Sequence, residues 1–341
     1  MNNLHMKHRT SLRQRGLTLV ELMVAMVLML LVVLATVALF NVSSATYRNV
    51  DASQELQDNA RFGFEIIGQA ARSAGFQDRT GPPSSSFLLA DSVFGPDAAD
   101  VKHWRLEGAN GNVISGGNSS VAFSATGAVN SSDALVFRFF GSNLPDPANP
   151  AVAKYDSGKA VPDGAMVDCS GRAVSYPFDV DDVGVSSFFV KNGSSGEPEL
   201  YCKSWNQKLT TPIFSESLLI RGVESFQVMY GLDTSTPRDD VPDQWVSAGS
   251  SWGDPSVLPN WNNVVAIRIG MVLRGPPGSG QGQSNVSSAN DIYPLGRAFT
   301  CESAAATATC NPEAGLKFTP PDDGRLRRAF ATTFMFRSTV R

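Results

Sequence analysis

The chain has 341 residues, 42% of them hydrophobic and 18% charged, the balance of a folded protein with enough apolar side chains for a sizeable core. Its formal net charge is -4, and no basic stripe follows the first sixteen residues, which excludes a general nucleic-acid binder, whose phosphate contacts would need one. Lys7, Arg9, Arg13 and Arg15 lie within that opening stretch, which holds no acid; its removal takes 28 bases to 24 against 32 acids, a net charge close to -8.

From Leu17 to Phe40 the only charge is Glu21. At about 1.5 Å per residue these positions make a helix about 36 Å long, enough to span a bilayer. Basic residues precede the apolar run and none follows closely, so the amino terminus is expected in the cytoplasm and the rest of the chain outside. No Gly or Pro interrupts residues 17–62, and Leu56, Ala60, Phe64, Ile67 and Ala71 then recur at spacings of four, four, three and four, an apolar stripe on an amphipathic helix. Gly75 is a stop signal, with Arg72 in the last turn where the helix dipole favours a cation. The expected element runs from Leu17 to about Ser73, with residues 17–40 in lipid and 41–75 against a globular domain.

Three readings compete for this segment. An ordinary secretory signal would cut near Ser43 or Ala45, but its apolar region usually spans roughly 7 to 15 residues and this run is longer. A plain signal anchor leaves Glu21 without a purpose. In the third, RGLTLVEL ahead of a long apolar run resembles the class III signal of type IV pilins and type II secretion pseudopilins. The resemblance implies that a prepilin peptidase removes residues 1–16 by cutting after Gly16 and methylates the new amino terminus at Leu17, and that Glu21 serves assembly. Where the family usually has phenylalanine after the glycine, this chain has Leu17. An intramembrane acid is tolerated when paired, and the first turns of a helix favour an anion. Glu21 can therefore meet the amine of a neighbouring subunit in a bundle of helices, the alternative being an acid that snorkels to the lipid headgroups.

The remainder, residues 76–341, reads as β-rich with long Gly, Pro, Ser, Asn and Asp loops. Expected strands are 121–124, 134–140, 218–230 with a bend at Gly222, 264–273 and 329–337. In the fourth, Val265, Ile267, Ile269 and Met271 share one face and Arg268 takes the other, predicting one buried face that the amphipathic helix covers. The fold class is α+β: a long amino-terminal helix as spine, packed on a loop-rich domain with an antiparallel sheet. A two-lobed sheet would divide between Phe140 and Tyr155. Four cysteines, Cys169, Cys202, Cys301 and Cys310, read in an exported chain as two disulfides between sequence neighbours, against four unrelated buried thiols.

The stretches LLIRGVESFQVMYGLDT, WNNVVAIRIGMVLRG and DGRLRRAFATTFMFRS, with Leu200-Tyr201-Cys202, resemble PilW-type minor pilins of type IV pilus systems. That resemblance implies a structural role in pilus assembly or initiation at the base or tip of the fibre, in adhesion and in motility. Its implied partners are a prepilin peptidase, other minor and major pilins and the inner membrane of a Gram-negative bacterium. A J-like pseudopilin of type II secretion is the near alternative, and a signal-anchored periplasmic enzyme or binding protein the distant one.

Chemistry is sparse. His103 is the one histidine outside the leader, too few for a His-rich zinc site, and beside Trp104 it reads as structural. GSSWG at 249–253 matches a nucleophile elbow, but no histidine follows it to complete a triad. The acids Asp233, Asp239, Asp240 and Asp243, and Asp179, Asp181 and Asp182, could hold calcium but lack the EF-hand spacing and read better as solvated turns. No enzyme activity, cofactor or metal is expected.

Overall fold

The computed structural model of the chain describes residues 18–76, 105–117, 121–150, 152–156, 159–176, 183–206, 213–248, 261–280, 291–299 and 315–336. Its first element is a single helix, α1 (Leu19–Ser73), ending where the stop signal predicts and starting two residues later than Leu17 because Thr18 is extended and caps it. Two antiparallel sheets follow. Sheet I has the order β1-β4-β7-β8-β9, from β1 (Leu106–Ala109), β4 (Ala134–Phe139), β7 (Gly184–Asn192), β8 (Pro198–Asn206) and β9 (Ile213–Arg221). Sheet II has the order β11-β10-β12-β13, from β10 (Val223–Leu232), β11 (Gln244–Val246), β12 (Val264–Arg274) and β13 (Arg327–Met335). Two small ribbons pair β2 (Val113–Ser115) with β3 (Ala122–Ser124) and β5 (Tyr155–Asp156) with β6 (Lys159–Ala160).

The lower half of α1 joins the sheets in one core. Ala52, Leu56, Ala60, Ile67, Ala70 and Ala71 are buried with Leu135, Phe137 and Phe188 of sheet I and Phe226, Ile267, Ile269 and Met271 of sheet II. Apolar contacts of this kind are worth about 25 cal/mol per Å² removed from water, and they hold the helix to the domain. Contact is close because two positions carry no side chain: a Cβ on Gly63 would lie 2.6 Å from Ile220 Cδ1, and one on Gly68 would lie 2.6 Å from the Phe334 ring. Phe64 of the expected stripe stays half-buried against this core.

Strand β12 runs alongside the helix in the opposite direction. Ala52 lies by Gly275, Gly63 by Met271 and Gly68 by Phe334, which pairs with Ile267. From Ala52 to Gly68 the helix rises about 24 Å and from Gly275 to Ile267 the strand covers about 26 Å, so the two are nearly collinear. Strand β13, antiparallel to β12, therefore points the same way as α1.

Three expectations are corrected. The run 218–230 is not one bent strand: β9 closes sheet I, β10 opens into sheet II, and Gly222 between them has φ +76, with room for no Cβ because Arg274 O would sit 2.7 Å away. The two sheets thus part at Gly222, not between Phe140 and Tyr155; β4 and β7, which flank that stretch, pair within sheet I. Strand β12 is buried on both faces except near Arg268 and Arg274, because a loop at 291–299 covers the side away from α1, with Pro294 O only 2.4 Å from where a Cβ on Gly270 would lie. Strands β7 and β8 went unlisted in the sequence reading, since GVSSFFVKN and PELYCKSWN carry Ser, Lys and Pro at positions that the sheet buries or terminates.

Candidate functional site: the amino-terminal helix and its anchorage

The free half of α1 is apolar and bare. From Leu19 to Val42 every residue is exposed, including Leu22, Met26, Leu30, Val33, Val37 and Phe40, so no part of the domain shields this surface from solvent. By length and composition the segment is able to cross a membrane. At its head the Glu21 N–H donates to Thr18 Oγ1 at 3.3 Å. Thr18 is the N-cap and Glu21 the third helical residue, the T-x-x-E spacing of a capping box, which places the carboxylate over the unpaired N–H groups and positive dipole of the first turn. This is a local reason for the acid at position 21 beyond the pairing argued above, and its signal, Thr three residues before Glu, was present in the sequence. Gly16 and Leu17, the expected cut, lie outside the described residues.

Beside the membrane-side end of the anchored half, the sheet strands are tied to one another by charge. Near Ala52, where Gly275 meets the helix, six charged side chains close a ring of alternating sign. Arg274 of β12 donates to Glu224 of β10 at 3.0 Å and through Nε to Glu197 at 3.0 Å, at the turn before β8. Arg325 reaches Glu197 at 3.1 Å and Asp323 at 3.8 Å. Arg327 grips Asp323 with two nitrogens at 2.7 Å and Glu224 with two at 2.6 and 3.0 Å. The side chains of Glu224 and Arg327 are 3% and 4% exposed, so each is tolerable only because opposite charges meet it.

Protonation follows the contacts. Burial would raise the Glu197 carboxyl, but hydrogen bonds from Arg274 and Arg325 outweigh it and hold the group below the usual carboxylate range. The Arg327 bonds do the same to Asp323. Burial alone would lower Arg327; its bonds to Asp323 and Glu224 prevail and raise it. None of these residues was singled out from sequence, although Glu224, Arg274 and the DGRLRR run all lie in the stretches that carried the resemblance.

Other expected residues are placed as follows. Cys169 and Cys202 form a disulfide with Cα atoms 6.0 Å apart, tying the irregular stretch before β7 to β8, while Cys301 and Cys310 lie outside the described residues. So do His103, Trp104, GSSWG at 249–253 and Asp179, Asp181 and Asp182. Asp233 is buried, and the Ser235 hydroxyl, followed by the backbone N–H groups of Asp240, Ser235 and Asp239, holds its carboxyl below the usual range against the effect of burial. Asp243 accepts from Thr234 N–H at 2.7 Å and Asp239 from Val241 N–H at 3.0 Å, so three of these acids fold a turn around protein donors. Among the described residues no group of three or more His, Cys, Asp or Glu is placed to hold a metal ion.

A helix whose first half is bare and apolar, and whose second half is the spine of an antiparallel β domain, is consistent with a type IV pilin fold. Residues 11–37 match the prokaryotic N-terminal methylation motif, and residues 187–338 match the family described as Type IV Pilus-assembly protein W. Together the two matches support a PilW-type minor pilin of pilus assembly. A solved type IV-like pilin from Thermus thermophilus is similar at 13% identity with a TM-score of 0.35, over 82% of this chain and 96% of that one. Among curated proteins nothing matches. The methylation motif implies processing by a prepilin peptidase and pilus assembly with other pilins.

Proposed function

We propose that the protein is stored in the inner membrane as a single-pass subunit, with its amino terminus in the cytoplasm and residues 76–341 in the periplasm of a Gram-negative cell. Prepilin peptidase cuts it after Gly16 and methylates Leu17, and the helix then enters the base or tip of a type IV pilus, where the domain primes or caps the fibre and serves adhesion and surface motility. The observation that carries this reading is the exposed half of α1, headed by Glu21 in its first turn: a surface this apolar needs lipid or other helices around it, and an acid there can report whether a neighbour's amine is in register. Carboxylate and amine then neutralise one another on burial, and a misplaced subunit leaves both unpaired.

Two measurements test it. Intact mass and amino-terminal sequencing of the chain from its own host membranes are expected to show a start at Leu17 with the mass of one added methyl group, dependent on the peptidase; a start after Ala45, or an uncut Met1, rules the reading out. Glu21→Leu is expected to leave a stable, membrane-inserted protein that fails to enter pili, whereas normal assembly of that variant removes the role given to Glu21.

A further inference from the structure

Among the described residues the two main sheets have four edges, and three of them are guarded. Strand β1 has four residues and β11 three, too short to template a partner. Strand β9 has nine, but its pairing with β8 slips at Leu200/Tyr201, and Glu216 and Arg221 stand on it. Strand β13 also has nine, pairs with β12 in unbroken register, and carries no charge or proline from Ala329 to Phe336.

Its free side is defined by hydrogen-bond parity. Phe336 N–H donates to Val265 O at 2.8 Å, so the even-numbered residues of β13 bond to β12 and the odd-numbered ones direct N–H and C=O away from the sheet. Ala329, Ala331, Thr333 and Met335 are all exposed, and among the described residues their outward backbone groups meet no partner. On the side that α1 covers, Phe330 and Phe334 of the strand and Phe64 of the helix remain half-buried. Arg328, exposed, stands at one end.

We propose that the outward edge of β13 accepts one extended segment of a different polypeptide, apolar where it passes Phe330 and Phe334 and acidic where it passes Arg328. Main-chain bonds at 329, 331, 333 and 335 supply the register, and the aromatic rings select alternate side chains. The β13 strand of a second copy does not fit. Because β13 points the same way as α1, pairing two β13 strands about a two-fold axis turns the second helix end for end and directs its apolar half away from the membrane that holds the first. Only this exclusion rests on the membrane-anchored reading.

The test uses the full chain in its host membranes, with benzoylphenylalanine placed singly at 329, 331, 333 and 335 and the photo-adducts mapped by mass spectrometry. The expected result is attachment to a chain of different sequence, at sites that move two residues for each two-residue step along β13. Thr333→Pro removes one outward N–H and no ladder bond, and should cut the adduct at 331 at least tenfold while the Cys169–Cys202 bridge still forms; Ala331→Lys should do the same to the adduct at 335. Self-adducts, attachment without that two-residue step, adducts that survive both substitutions, or no adduct from a chain recovered with the membranes overturn the proposal. Recovery outside the membranes overturns the anchoring reading instead, and the mapped adducts still decide the edge.

Discussion

One helix, α1, lives in two opposite environments. Residues 19–42 touch nothing of the domain and are held helical by local backbone bonds, a Thr18 cap and whatever apolar medium surrounds them; residues 52–71 are fixed by two sheets and two close glycine contacts. The same periodic geometry serves both, so the difference lies in what the side chains face. Substitutions in the first half should alter insertion and assembly and leave the domain's stability alone. Those in the second should do the reverse.

The largest expected effect is at the ring. Arg327→Ala leaves Glu224 buried with only Arg274 for company and should cost about 3 to 5 kcal/mol of domain stability, read as a lower midpoint in urea with unchanged slope. If that variant unfolds like the parent, the ring contributes nothing to the domain's stability. Gly68→Val should cost about 1 to 3 kcal/mol, because the new side chain enters the space of the Phe334 ring. Thr18→Ala should cost the helix start about 1 kcal/mol, visible as faster amide exchange over the first turn, with the domain's urea midpoint unmoved.

Acid gives a smaller, graded effect with a definite sign. Glu197 and Asp323 are held lower in the fold than in the unfolded chain, so the stability they contribute is fully present above the unfolded carboxylate range, near pH 4, and is lost as pH falls through their folded values. The urea midpoint should decline below about pH 4, and Glu197→Gln should flatten that decline. An unchanged slope would remove Glu197 from the ring's energetics. At the other end of the scale, the Tyr201 hydroxyl, hydrogen-bonded to Glu199, is pushed up to about 12 and should ionise well after an ordinary tyrosine in an ultraviolet titration.

Much of this was legible where the physics is local. The span of α1, its stop at Ser73 and the strands ALVFRFF, VVAIRIGMVL and AFATTFMFR follow from apolar patterning and a glycine stop close by in the sequence, although the period did not tell that β12 is dry on both faces. What escaped depends on distant partners. Nothing near Gly222 announces that the chain leaves one sheet for another. Lys203 on β8 reads as a surface residue, yet it is buried, its amine donating to Ser115 O at 2.8 Å from a hairpin far back in the chain. Glu224 and Arg327 are about a hundred residues apart and look like breaks in a buried pattern until the fold joins them. At the candidate site the acid at 21 stands out by its spacing, while its capping partner Thr18 is one small polar residue at the edge of an apolar run until the helix start places it.

The collinearity of β12 with α1 has a mechanical meaning. A tug along the helix would load β10, β12 and β13 lengthwise, so that their ladder bonds share the force and must slide together instead of peeling one by one. The domain is strung like parallel cords behind the helix, and the helix is the handle by which it is pulled.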